Sequence, residues 1–124
     1  MRTFDDWYDE VLRRLDKPTK IRNWTREGRY HNTRSTEFLA QTYRSMTDEE
    51  RRAREWAGPN HPDDLILCSP LDGGSRWPGH ERVGFRPIYP RWRDYRNGKI
   101  SRKELGNPTP YLLSILKNFE DIME

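Results

Sequence analysis

Cysteine is almost missing: Cys68 is the only one in 124 residues. No disulfide can form within the chain, and a lone thiol suits a reducing compartment. Long apolar runs are missing too. No stretch approaches the roughly 20 residues that span a bilayer, which excludes a transmembrane helix. The opening MRTFDDWYDE has neither the basic nor the apolar region of a signal peptide. Together these absences predict a soluble, cytoplasmic protein with no membrane partner. Aliphatic side chains are scarce, since Leu, Ile, Val and Phe number 22 of 124. So low a share signals disorder only when the net charge is large. Here 23 Lys and Arg stand against 20 Asp and Glu, leaving +3, and five Trp, six Tyr and four Phe supply apolar area. The expectation is one small domain over 1–124 with a thin, aromatic core, for which a partner or self-association would add stability.

Helical signals dominate. Thr3 can cap a helix over 3–17 whose Phe4, Trp7, Tyr8, Val11, Leu12 and Leu15 recur on one face, with acids at its start, bases at its end and Pro18 beyond. Helices are also predicted over 35–46 (Phe38, Leu39, Tyr43, Met46) and, after the Thr47–Glu50 capping box, over 47–57 with Ala53, Trp56 and Ala57 inward. A fourth covers 90–97, Ser101–Glu104 opens a further turn, and 109–123 begins with Thr109 as cap and Pro110 in the first position. The middle, 58–108, holds seven of nine prolines. It leaves room for short strands at 64–69 and 83–89, the latter confined to an edge by Pro87. The fold class read from this pattern is α-rich, mainly α with α+β as the alternative.

Charge is segregated along the chain. Residues 18–34 sum to +4 and 75–103 to +7, while the last 21 residues sum to −3. Arginine outnumbers lysine 18 to 5, and guanidinium forks suit phosphate or carboxylate and stack on flat rings. In the larger basic segment Arg76, Arg82, Arg86, Arg91, Arg93, Arg96, Lys99, Arg102 and Lys103 alternate with Trp77, Trp92 and Tyr95. That mixture neutralises phosphates while offering rings on which bases stack. Lys20, Arg22, Arg26, Arg29 and Arg34, with Trp24 and Tyr30, form a second patch of the same chemistry. The same residues also fit a core of rings with arginines at its rim or in cation–π pairs.

Signals for catalysis or metal are weak. His31, His61, Cys68 and His80 show no zinc-type spacing. His61-Pro62-Asp63-Asp64 followed by Glu81 lacks the lysine that a metal-nuclease pattern places after its second acid. Cys68 and His80 have no oxyanion loop beside them, and residues 71–75 read as a plain turn. No metal or cofactor is expected. A minimal enzyme would show its histidines converging on Asp63, Asp64, Asp72 or Glu81 in a cleft. Residues 36–58, with Tyr43-Arg44-Ser45-Met46 leading into the capped turn, resemble the junction of the second and third helices of HMG-box domains. The Pro-rich aromatic start of that family is absent, so the resemblance implies a local helix–turn–helix geometry and not membership.

Two functional readings follow. The first is a small, non-enzymatic protein whose Arg- and aromatic-rich surface contacts nucleic acid or a nucleoprotein complex. The second is an adaptor or inhibitor, of the kind phages use as accessory factors, that docks on an acidic protein through Arg, Trp and Tyr anchors. The acidic ends could pair with the basic middle of a second copy, so a homodimer is open.

Overall fold

In a computed structural model that describes residues 1–28, 36–58, 61–71 and 76–124, the first helix forms where its caps and periodicity require. Helix α1 spans Phe4–Arg14, with the Thr3 hydroxyl accepting the Asp6 N–H at 3.2 Å. Asp5 and Asp6 lie in its first turn and Arg13 and Arg14 in its last, matching the helix dipole. Its buried face is Trp7, Tyr8, Val11 and Leu12.

The chain then builds a four-stranded antiparallel sheet, β1 Thr19–Arg22, β2 Glu37–Thr42, β3 Ile66–Pro70 and β4 Gly79–His80, in spatial order β1-β2-β3-β4. Ala40 pairs with both Thr19 and Cys68, and Ile66 pairs with His80. This sheet corrects the α-rich expectation: the described residues are 44% helix and 15% strand, a mixed α+β fold. The 35–46 segment is the largest revision, being β2 followed by a 3-10 turn at Tyr43–Ser45. Phe38 and Ala40 are wholly buried in the main core, while Leu39 packs into a second cluster with Tyr43, Met46, Leu65, Leu67 and Trp77. A strand covered on both faces loses its polar alternation, and Phe38-Leu39 then mimics one side of a helix. The helix–turn–helix geometry implied for 36–58 is therefore absent. Only its second arm is helical, as α2 Asp48–Ala53, where Thr47 and Glu50 complete the capping box at 3.0 and 3.1 Å. Helix α2 buries nothing. Ala53 and Ala57 are exposed, contrary to expectation, and Trp56 is half-buried.

The strand expected at 83–89 is also revised. Helix α3 (Arg82–Phe85) leads through a 3-10 turn at Tyr89–Arg91 into α4 (Trp92–Arg96). Phe85, Ile88, Tyr89 and Trp92 are all buried, a helical spacing that the two intervening prolines obscure in the sequence. Pro90 is tolerated because it stands in the first turn of its element, where its missing N–H has no partner to lose. After α5 (Arg102–Leu105), closed by Gly106 at φ 107°, α6 (Pro110–Asn118) runs through the middle of the molecule. Leu113, Ser114, Ile115 and Leu116 are each 0% exposed, so α6 is covered all round and accounts for much of a core that the composition makes thin. Ser114 accepts the Trp24 N–H at 2.8 Å, and Asn118 accepts the Arg22 N–H and donates to the Arg22 carbonyl. The Asn118 amide thus stands in for a neighbouring strand on the open edge of β1, which limits edge-to-edge pairing.

Candidate functional site

The cations of 75–103 are dispersed over the molecule, and most are engaged by it. Arg82 donates to Asp64 (3.0 Å), Asp5 (3.0 Å) and Asp9 (2.6 Å) and lies 4.7 Å from the Tyr8 ring centre. Arg86 reaches Asp5 at 3.3 Å and covers the Phe4 ring. Arg96 grips Glu120 through two bonds of 3.0 and 2.9 Å, and Arg93 pairs with Glu124. Arg91 donates to the Glu104 carbonyl and Arg102 to the Pro108 carbonyl. Arg76, Lys99 and Lys103 are exposed with no acidic partner among the described residues. The acidic ends therefore meet the basic middle within one chain, so charge pairing requires no second copy.

The rings of this segment are not stacking platforms. Trp77 (4% exposed), Trp92 (1%) and Tyr95 (0%) are buried, which corrects their expected role. Elsewhere, Arg26, Arg51 and Arg54 lie 4.1 to 4.6 Å from the ring centres of Tyr95, Tyr43 and Trp77. Much of the arginine and aromatic content is thus internal cation–π packing. Arg82→Gln should lower unfolding free energy by about 1–3 kcal/mol, because three carboxylates lose a shared donor. Chemical denaturation checks it; an unchanged midpoint would make the cluster surface decoration.

In the smaller basic patch, Lys20 and Arg22 project from β1 into solvent. Arg26 donates to the Tyr95 and Ile100 carbonyls at 3.3 and 3.2 Å. Arg29, Tyr30 and Arg34 lie outside the described residues. Half-buried Trp24 borders a cleft of about 500 Å³ with Arg22, Lys117, Asn118 and Asp121.

The opposite chemistry appears between α3 and α6. Two clefts, of about 330 and 680 Å³, share Gly84 and Leu112 and so form one groove. Trp56, Leu65 and Val83 line its first half; Pro87, Ile88 and Leu105 line the second. Val83 is 66% exposed, a high value for an aliphatic side chain in so apolar-poor a chain. Gly79 permits one wall, since a Cβ there would come within 2.9 Å of the Trp56 indole, whose Nε1 donates to the Trp77 carbonyl at 2.7 Å. Sequence reasoning missed the groove, because its walls come from segments far apart in the chain.

His61, His80 and Glu81 also border the first cleft. His61 meets the Tyr43 and Trp56 rings edge-on, while His80 places Nε2 2.9 Å from the Thr109 hydroxyl. Burial holds His80 down to about 4, so its ring is neutral near pH 7. Asp64 turns instead to Arg82, Asp63 is exposed, and His31 and Asp72 lie outside the described residues. Among the described residues no three His, Cys, Asp or Glu groups could hold a metal ion. The Cys68 thiol is fully buried, and burial pushes its pKa up. No helix among the described residues is long and apolar enough to cross a membrane.

No protein-family model, curated protein or solved structure matches the chain.

Proposed function

We propose that the protein is a non-enzymatic docking module of the cytoplasm that receives an apolar, carboxylate-bearing segment of another protein in the groove between α3 and α6. The observation that carries this reading is the groove itself. A chain with only 22 Leu, Ile, Val and Phe leaves an apolar channel uncovered and exposes Val83 beside it. Uncovered apolar surface rimmed by polar groups is the usual mark of an interaction site. The Trp and Tyr anchors expected to project into a partner are instead mostly core, so the partner supplies the anchors and this chain the pocket. Arg91 selects the acid: it borders the second cleft with one donor on the Glu104 carbonyl, leaving most of its fork available. The Glu104 carboxylate nearby is engaged at the Ser101 N–H.

Gly84 provides a test that spares the fold. A Cβ there meets only the Leu112 Cδ1, at 3.9 Å, so a larger side chain projects into the junction of the two clefts. A peptide-display selection against the wild-type chain is expected to enrich apolar sequences with a carboxylate. Gly84→Phe should weaken the selected peptides by at least roughly tenfold, the equivalent of one anchor lost. Selection of no such peptide, or equal binding to Gly84→Phe, refutes the reading.

A further inference from the structure

We propose a second, separate site: Trp24 with the cations of β1 binds single-stranded nucleic acid. Lys20 and Arg22 stand two residues apart on β1, hence on the same face and roughly 6.6 Å apart along the strand. Both are exposed, and Glu37 of β2 stands across from Arg22 in the strand register. Ile21 between them is buried, which holds the strand and fixes their direction. Beside Arg22 opens the cleft of about 500 Å³, a volume that accommodates one nucleotide. Its wall includes Trp24, one of only two tryptophans that are not buried, the other being Trp56 in the apolar groove.

The support beneath this site is rigid. The Trp24 ring packs on Trp92 at 5.5 Å and on Tyr95 at 6.5 Å, its backbone N–H is held by the Ser114 hydroxyl, and Asn118 clamps the backbone of Arg22 from α6. An indole fixed this way loses little freedom when a base stacks on it. The amides of Asn23 and Asn118 at the cleft are committed to the fold, Asn118 to the Arg22 backbone and the Ser114 carbonyl and Asn23 to the Ser114 hydroxyl, so the ring and the cations carry recognition. Lys117 is engaged with Glu120 at 3.1 Å, and Asp121 borders the same cleft. The phosphates therefore run along Arg22 and Lys20, away from the α6 end. Nucleic acid is favoured over an acidic peptide because a half-buried ring and two exposed cations occur together, and a base with its phosphate uses both. The Arg96 guanidinium, 6.0 Å from the Trp24 ring centre, is already held by Glu120 and serves as scaffold.

The test is fluorescence anisotropy with fluorescein-labelled oligouridylate and oligothymidylate of about twelve nucleotides, at about 50 and about 200 mM salt. Binding at low salt that weakens steeply as salt rises is expected, with the two probes showing which sugar is preferred. The double variant Lys20→Gln/Arg22→Gln, on an exposed strand face, should keep the wild-type melting curve. Its plot of log K against log salt should flatten by about 1.4, the value for two single-strand phosphates. Trp24→Phe, which retains a ring, should bind more tightly than Trp24→Ala. Gly84→Phe should bind as wild type does, so this site and the groove stand or fall separately. No binding of either probe at low salt, or an unchanged slope in the double variant, overturns the proposal.

Discussion

Trp92→Ala is expected to cost about 3–5 kcal/mol of unfolding free energy, a large fraction of the roughly 5–15 kcal/mol typical of a domain. The indole is 1% exposed and lies in the main core beside Trp24 and Tyr95. Its Nε1 donates to the Glu120 carboxylate at 3.1 Å, and Glu120 also holds Arg96 and Lys117. Truncation therefore opens a cavity and removes one donor from a carboxylate that secures the last turn of the chain. Trp92→Phe keeps most of the packing and loses the N–H, so its cost should be smaller, about 1–2 kcal/mol. Urea titrations give the comparison: midpoints should fall in the order wild type, Phe, Ala, with slopes unchanged. Had Trp92 been a surface ring for stacking on bases, its replacement would leave the midpoint alone.

What could be read from the sequence depended on how local the signal was. Helices α1 and α6 carry their own caps and an apolar stripe, and β3 (Ile66–Pro70) overlaps the short apolar run expected as a strand at 64–69; each is recognisable from a window of neighbours. The capping boxes at Thr47 and Ser101 form as the spacing of Thr or Ser and Glu requires. Strand β1 offers one apolar residue in four, and β2 is buried on both faces, so neither shows the alternation that marks a strand. Strand β1 makes sense only with its partners present, β2 on one side and the Asn118 amide on the other.

The basic segments illustrate the same limit. Their charge and ring content are plain in the sequence, but the acids that engage them are far away. Arg82 finds Asp5 and Asp9 across 77 and 73 residues, and Arg96 finds Glu120 across 24. Composition records how many arginines and carboxylates exist, and tertiary structure decides which of them face each other. The lysine and arginine of β1 remain in solvent on the strand face opposite buried Ile21, with Glu37 of β2 across from Arg22 in the register. The apolar groove had no signal of its own, since Gly84, Leu112 and Trp56 become neighbours only after folding.

Acidification should weaken the fold before its carboxylates titrate, through His80. The ring is 8% exposed on the edge strand β4, with Nε2 against the hydroxyl of Thr109, which also accepts the Leu112 N–H at the start of α6. Burial lowers the folded-state value to about 4, whereas the unfolded chain titrates near the ordinary 6.5. The unfolded state therefore binds the proton first. The stability contributed by the neutral ring is complete above pH 6.5 and is lost as pH falls through about 4. The difference corresponds to about 3 kcal/mol, at no more than roughly 1.4 kcal/mol per pH unit. Asp16, held below the usual carboxylate range by its bonds to Arg44, likewise contributes stability in its deprotonated form, present above the ordinary aspartate value and lost further down. The two effects separate by window, histidine first and carboxylate second. Denaturant midpoints between pH 7 and 4 should fall for the wild type, and His80→Gln, which keeps a polar group but cannot ionise, should flatten that decline. A pH dependence identical in His80→Gln would show that His80 takes up its proton equally in both states. The same protonation would disturb the Thr109 contact at the groove wall, so affinity for a groove-selected peptide should fall over the same range while oligonucleotide binding at Trp24 follows salt instead.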